Sequence, residues 1–339
     1  MFNLNKITVE LMDAMPALGL AAGHKVSFND GLPTMDDGLA FYISQLAQLE
    51  TRLYEAKYTN INFAEMIPIN TNVPEWADSW DYISYDAVTL GKFIGASADD
   101  LPNVTASANK STVAIGYAGN MFDYSLDELR KSQQLRMPID DIKARVAYRG
   151  SQEHTQRVAY FGDASRNMYG LFNNPNVTRD TSNVDWNTAT GEEIVNDMNQ
   201  ILIDIWLDSA NVHMPNAIVL DSKRYALISS RPMSATFPNM TILEYFMRNN
   251  LYKTTTGQDI TVFARLQLRA NQGVGAQDMM MAYELNDENL GMCNPIPWRA
   301  LAPQMKGLKI NVPCEYKISG VEFRYPFSAR YRTFDNNVA

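Results

Sequence analysis

The residues able to do chemistry are few, and their spacing does not suit it. The chain of 339 residues holds three histidines, His24, His154 and His213, and two cysteines, Cys293 and Cys314. A nucleophilic triad needs a Ser or Cys beside a histidine that a carboxylate orients, and no histidine here sits in such a context. All three read as surface or capping residues. The cysteines have no CxxC or Cys/His spacing for zinc and read as buried thiols. Gly273 and Gly275 form a GxG, but the third glycine and the helix opening of a dinucleotide site are missing, so they read as a flexible loop tip. Asp99-Asp100 and Asp140-Asp141 fit a loop and a helix N-terminus. With no P-loop, HExxH or EF-hand pattern either, no catalytic residue, cofactor or metal is expected.

Other residues stand out for contact rather than chemistry. The chain carries 18 Met, 17 Tyr, 14 Phe and 5 Trp, and aromatics and Met are enriched where proteins meet other proteins. Trp76, Trp80, Tyr82 and Tyr85 crowd one segment. On a strand, positions 76, 80 and 82 share a face and 85 takes the other. That pattern fits either a buried core strand or a contact between molecules. Lys143, Arg145, Arg149 and Arg157 lie along one helical stretch, as a solvated face or a nucleic-acid contact. Met279–Met281 fits core packing or an interface.

The elements that must position these residues can be read in order. Residues 1–34 contain Pro16, Gly19, Gly23, Gly31 and Pro33 and read as an extended arm. Leu39, Ile43, Leu46 and Leu53 follow at helical spacing. Ile61, Phe63, Ile67 and Ile69 alternate like a strand; Trp80 to Leu90 and Thr112 to Tyr117 read as two more, separated by a polar stretch at 95–111. Together they predict a long two-stranded excursion. Ser125-Leu126-Asp127-Glu128 is a capping box, and Pro138 fits the first turn of a helix running to Phe161 before Gly162. Residues 163–191 are polar and turn-rich. Thr190-Gly191-Glu192-Glu193 caps an amphipathic helix faced by Ile194, Met198, Ile201, Leu202, Ile205 and Trp206.

A compact α/β region comes next. Ala217–Leu220 reads as a buried strand, Asp221 as a cap and Thr241-Ile242-Leu243-Glu244 as a third capping box. Val262, Ala264, Leu266 and Leu268 alternate as a strand, and Met279–Tyr283 reads as another. Finally Leu308 to Ile318 and Val321 to Tyr331 both alternate across Ser319-Gly320, which predicts a hairpin. Its second face, with Lys309, Lys317, Arg324, Arg330 and Arg332, is polar and net basic.

Composition bounds the class. Hydrophobic residues make up 46% and charged residues 20%, an ordinary globular balance. No apolar run reaches the ~18 residues of a membrane helix, and no secretion signal is evident at the N-terminus, so a reducing cytoplasmic setting is expected. A net charge of −9 argues against a chain that grips DNA or an anionic membrane with its whole surface. A local basic face remains compatible with it.

The order of arm, β excursion, long polar helix, capped α/β region and closing strands resembles the major capsid proteins of tailed bacteriophages with the HK97-like fold, an α+β class. The resemblance rests most on residues 125–177, including Phe161-Gly162-Asp163 and Tyr169-Gly170-Leu171-Phe172-Asn173-Asn174, and on Asn294-Pro295-Ile296-Pro297-Trp298-Arg299-Ala300-Leu301. It implies an N-terminal arm and first helix at 1–59, an extended β E-loop at 60–119, and a peripheral domain with the spine helix at 120–215. An axial domain at 216–307 and a C-terminal hairpin at 308–339, returning to the peripheral domain, complete the partition.

Under this resemblance Trp76, Trp80, Tyr82, Tyr85 and Phe93 would contact the neighbouring subunit. Lys143, Arg145, Arg149 and Arg157 would face the lumen or its DNA, and Gly273 and Gly275 would sit in an axial loop. The implied function is a non-enzymatic shell that assembles through hexamers and pentamers around phage double-stranded DNA, held by weak non-specific contact. Portal, scaffolding and decoration proteins are implied partners, a membrane is not, and the virion would be assembled in the bacterial cytoplasm. Lys–Asn cross-links seal some shells of this fold; Lys92 and Lys110 lie in the excursion, yet cross-linking is not expected. Scaffolding by a separate protein is. An encapsulin-type nanocompartment is the alternative shell, and a soluble α+β enzyme the alternative of another class.

Overall fold

A computed structural model describes residues 60–88, 105–135, 139–234, 236–272 and 276–334. The arm and first helix expected at 1–59 therefore lie outside the described residues. In chain order the strands are β1 (Ile69–Asn70), β2 (Ser79–Val88), β3 (Thr105–Ser125), β4 (Thr178–Ser182), β5 (Ala217–Asp221), β6 (Thr261–Arg265), β7 (Met279–Tyr283), β8 (Leu290–Cys293), β9 (Ile296–Ala300), β10 (Gln304–Lys306), β11 (Lys309–Ser319), β12 (Val321–Phe323) and β13 (Ala329–Phe334). The helices are α1 (Leu126–Leu135), α2 (Ile139–Phe161), α3 (Gly191–Asp208), α4 (Ser222–Ser230), α5 (Ile242–Arg248) and α6 (Leu251–Thr256).

Capping chemistry fixes the helix starts. Ser125 Oγ accepts from Glu128 N at 3.1 Å while Ser125 N donates to the Glu128 carboxylate at 3.0 Å, closing the first box. Thr190 and Glu193 close the second in the same way. Asp221 accepts from both Lys223 N and Arg224 N to start α4. At Thr241 only half the expected box forms: Thr241 accepts from Glu244 N, but the Glu244 carboxylate pairs with Arg248 one turn on. Helix α2 ends at Gly162, whose φ of +67° brings the chain back on itself; a Cβ there would sit 2.0 Å from the Met168 carbonyl oxygen.

Alternation in one sheet creates two cores. The order β4-β13-β7-β5-β6 makes a five-stranded mixed sheet. Met279, Met281, Tyr283, Ala217, Val219, Ala329 and Tyr331 enter one buried cluster, with Tyr160, Leu171 and Phe172. Met280, Ala282, Ile218, Leu220 and Phe334 enter the other, under Ile194, Met198, Ile201 and Ile205 of α3. Period-two side chains on a sheet covered on both faces give continuous apolar runs. Every residue of β5 and of β7 is accordingly buried, and the methionine run is core.

Several sequence expectations are corrected. Ile61 to Ile69 is not a strand: Phe63–Glu65 is a 3-10 turn, and Met66 N and Ile67 N both donate to the Phe63 carbonyl, which gathers Phe63, Met66 and Ile67 into the core. Leu266–Leu268 is also a 3-10 turn that ends β6 early. The polar region 163–191 contains β4, pairing in parallel with β13. Thr112–Tyr117 is only the middle of the 21-residue β3, whose Ala/Ser/Asn beginning has little strand propensity and owes its conformation to pairing with β2.

The largest correction concerns the C-terminus. The two alternating runs at 308–339 do not pair as a hairpin. β11 pairs with β3, β9 and β10; β12 pairs with β8; β13 pairs with β4 and β7. Ser319-Gly320 is thus a crossing point between sheets. A Cβ at Gly320 would lie 2.5 Å from the Tyr169 carbonyl oxygen, which in turn accepts from Val321 N.

Candidate assembly surfaces

β2 and the first half of β3 form an antiparallel ribbon in continuous register, Ser79 opposite Ala114 through Val88 opposite Thr105. From Ile115 on, β3 pairs instead with β11. Among the described residues, the ribbon of 79–88 and 105–114 therefore has no third strand on either edge.

Its root is fastened to the same chain. Trp80 and Tyr82 share one face, with ring centroids 6.3 Å apart. The Arg324 guanidinium lies over the Trp80 ring at 4.8 Å, and Tyr82 Oη donates to Glu322 at 2.8 Å. Burial pushes the Glu322 carboxyl above the ordinary glutamate value, although the Tyr82 hydrogen bond and Arg324 oppose the shift. Lys317, itself buried, donates to the Ala77 carbonyl at 3.2 Å and to Asp78 at 3.0 Å.

The opposite face is wet: Ile83 is 55% exposed, and Asp81 pairs with Lys110 at 2.7 Å. Trp76 precedes the ribbon and is 81% exposed, the most open of the large apolar side chains described. It lines an open hollow of about 590 Å³ together with Asn70, Pro74, Trp80 and Asp81.

Helix α2, about 35 Å long at 1.5 Å per residue, packs chiefly through its C-terminal half, where Thr155, Val158, Ala159 and Tyr160 are buried. Toward its start Val146 and Tyr148 are exposed, Tyr148 meeting Trp298 edge-on at 5.3 Å. Trp298 Nε1 also donates to Asn120, so the Asn294–Leu301 segment bolts β9 onto β3 beneath the helix. Lys143 donates to the Asp123 carbonyl at 2.7 Å and to Glu128 at 3.1 Å; Arg149 pairs with Glu153 one turn on. Arg145 and Arg157 are exposed.

Tyr85 lies in β2 opposite Ala108; Phe93, Lys92, Gly273 and Gly275 lie outside the described residues. Cys293 and Cys314 are buried, and burial pushes the Cys293 thiol up to about 11. His154 Nδ1 bonds the Tyr316 hydroxyl and His213 Nδ1 bonds Glu284, each at 2.8 Å, so both are structural partners.

The basic face expected near the C-terminus is consumed internally. Arg332 is 5% exposed and reaches Asp180 at 3.0 Å, Asp197 at 3.1 Å and Asp204 at 2.6 Å. Asp197 also accepts from Trp186 Nε1 and Ser182 Oγ. Arg330 pairs with Asp180 and Asp208. Even positions of β13 face α3, whose Asp197, Asp204 and Asp208 recur at nearly helical spacing. That pairing of periods two and 3.6 was the available signal in sequence.

No group of three or more metal-ligating side chains occurs among the described residues, and no described helix is long and apolar enough to cross a membrane. What the arrangement offers is extended contact surface. No curated protein sequence matches the chain. Among solved structures it is similar to the capsid of Myoviridae phage XM1, with a TM-score of 0.73 and 15% identity over 86% of this chain and 97% of that one. It is also similar to a structure from Mycobacterium phage Ogopogo, with a TM-score of 0.57 and 11% identity over 90% and 100% of the two chains. The capsid of an empty GTA particle gives a TM-score of 0.57 and 11% identity over 91% and 99%.

At such identities the likeness is one of fold, and that fold is the HK97-like α+β fold of capsid subunits. Residues 91–334 match the major capsid protein family, from within the stretch between β2 and β3 to the last residue of β13. The chain belongs to that family, a structural shell protein of the virion and not an enzyme.

Proposed function

We propose that copies of this chain close into hexamers and pentamers of an icosahedral phage head around double-stranded DNA. Each ribbon would lie across a neighbouring subunit. The observation that carries this reading is the ribbon itself: ten residue pairs with no third strand among the described residues, Ile83 exposed along it and Trp76 exposed at its root. A two-stranded ribbon is marginal in water, and a second copy supplies the missing burial. Ring closure needs heterologous contacts, one surface meeting a different surface of the next copy.

On this reading Trp76, Trp80, Tyr82, Tyr85 and Phe93 make the inter-subunit contact. The E-loop lies within 60–119, the spine helix of the 120–215 peripheral domain is α2, and 216–307 with its Gly273/Gly275 loop is axial. Residues 1–59, outside the described residues, would be the arm and first helix, and 308–339 would return to the peripheral domain. Lys143, Arg145, Arg149 and Arg157 face the lumen and touch packaged DNA weakly, Arg145 and Arg157 foremost because they are exposed. Portal, scaffolding and decoration proteins and assembly in the host cytoplasm belong to the same proposal.

Negative-stain microscopy of the purified chain tests it. Closed shells, rings or sheets are expected, and a sample that stays monomeric at high concentration would sink the reading. Particles from infected cells should hold nuclease-resistant DNA, and protein cargo without DNA would overturn that part. Reversing the charge of Arg145 and Arg149 should change DNA retention more than shell formation; unchanged retention removes this face from the DNA contact.

A further inference from the structure

A hollow of about 360 Å³ lies where the C-terminal half of α2 meets β3 and β11, and its wall carries Gly116, His154, Asp163, Arg166 and Tyr316. A tight turn sets Arg166 there. Asp163 N donates to the Met168 carbonyl at 2.9 Å and Met168 N donates to the Asp163 carbonyl at 3.0 Å, closing the turn around the 3-10 segment Ala164–Arg166. Gly116 supplies the room. A Cβ at Gly116 would lie 3.2 Å from Arg166 Nη1 and 3.0 Å from Met168 Cε, so any side chain there would push the guanidinium off β3.

The arginines at this hollow are unanswered. Among the described residues neither Arg157 nor Arg166 has an ion-pair partner. Arg157 follows His154 by three residues on α2 and so shares its face. Asp163 is the carboxylate in the wall, and its Oδ1 is already held by Ser165 N at 3.0 Å and Ser165 Oγ at 2.6 Å. His154 registers the balance: desolvation depresses its pKa most, Asp163 opposes, and Arg157 and Arg166 both push it further down. Its Nδ1 bonds the Tyr316 hydroxyl. With that hydroxyl donating, the imidazole proton sits on Nε2, the nitrogen left for a ligand.

We propose that this hollow is a phosphate-group site, in which Arg157, Arg166 and His154 Nε2 donate to the phosphate oxygens. The planar fork of a guanidinium matches phosphate, and a charge-assisted bond is about twice as strong as a neutral one. Asp163 does not repel the ligand outright, because its own turn draws on its charge. The inference rests on the lumen-facing reading of Arg157 for its natural source, the backbone phosphates of enclosed DNA, and adds Arg166 and His154 to that contact. Free phosphate ion presents the same chemistry and is the other source. In either case a phosphate beside His154 favours the imidazolium, with the Tyr316 hydroxyl turning round to accept from Nδ1.

The chain has three histidines, so imidazole NMR of the unassembled subunit is simple to read, and His154→Gln assigns the signal. Adding inorganic phosphate should raise the titration midpoint of His154 and leave that of His213, which faces Glu284, where it was. Potassium chloride at equal ionic strength should do neither. Arg166→Gln breaks no ion pair among the described residues, so it should fold as wild type while binding phosphate at least about tenfold more weakly. A short DNA duplex that moves His154 in wild type and not in Arg166→Gln identifies the DNA backbone as the source; a duplex without effect beside an effective inorganic phosphate identifies the free ion. His154 unmoved by both probes, an equal response to chloride, or a full response in folded Arg166→Gln overturns the site. None of these readouts needs a shell, so their failure leaves the assembly reading standing, and a chain that binds phosphate yet never assembles sinks that reading alone.

Discussion

The five-stranded sheet β4-β13-β7-β5-β6 and the ribbon of β2 with early β3 are built from the same backbone geometry and have opposite fates. In the sheet each face has a core: odd positions of β7 enter one and even positions the other. In the ribbon one face is pinned at its root by Arg324 and Glu322, the other exposes Ile83, and neither edge has a neighbour among the described residues. A strand's stability comes from what covers its faces and edges more than from its own propensity. The sheet is completed by described residues of the same chain, and the ribbon, on the proposed reading, is completed by a neighbouring copy.

That contrast is broken most severely by disturbing the sheet. Arg332→Ala leaves Asp180 of β4 and Asp197 and Asp204 of α3 without their common cation. Removing one partner of a buried charge cluster costs about 3–5 kcal/mol, so the soluble subunit should lose most of its denaturation midpoint. A midpoint within error of wild type would mean that the carboxylates find other partners. Met281→Ala, at a fully buried position of β7, should cost about 2–5 kcal/mol by loss of transfer energy and creation of a cavity. Chemical denaturation followed by tryptophan fluorescence reads both.

The ribbon should respond the other way round. Trp76→Ala removes a largely exposed side chain, so subunit stability should change by no more than about 0.5 kcal/mol while shell yield falls sharply. Trp80→Ala should likewise leave the subunit folded and impair assembly. Because it also loses the Arg324 contact, it should cost the subunit about 0.5–1 kcal/mol more than Trp76→Ala. Sedimentation separates subunit from shell. Unfolding of the isolated Trp76→Ala subunit would place that ring in a core and erase the distinction between the two regions.

Legibility in the sequence divides along the same line. Local devices were readable because their physics spans three or four residues: the Ser125/Glu128 and Thr190/Glu193 boxes, the Asp221 cap and the Gly162 stop all appear. The long helix and the buried runs at 217–220 and 279–283 were readable from period and composition. The destinations of strands were not. Two alternating runs around Ser319-Gly320 look like a hairpin whether they pair with each other or each leaves for another sheet. The deciding contacts, Val321 N on the Tyr169 carbonyl and β11 against β3, lie far off in sequence. The basic residues of β13 read as part of a polar, net basic face for the same reason, since α3's aspartates sit more than a hundred residues away.

The smallest effect sharpens how the ribbon is fastened at its root, to β12 of the three-stranded sheet β1-β8-β12 rather than to the five-stranded one. Glu322, on β12, accepts from Tyr82 at the ribbon root, and burial raises its carboxyl above the ordinary glutamate value. In that window the folded chain binds a proton that the unfolded chain has already released, so the ionised carboxylate weakens the fold at neutral pH. Stability at this site must rise as pH falls through the raised folded value toward the ordinary one, and the slope vanishes below it. Glu322→Gln keeps an oxygen for Tyr82 and removes the charge. The variant should therefore be slightly more stable than wild type at neutral pH, and the gap should close on acidification as the wild-type carboxyl takes up its proton. Taking the difference between the two proteins cancels the other carboxylates. A gap that widens on acidification would mean that the Arg324 attraction outweighs desolvation, and that the joint between the ribbon and β12 is held by charge rather than by a neutral hydrogen bond.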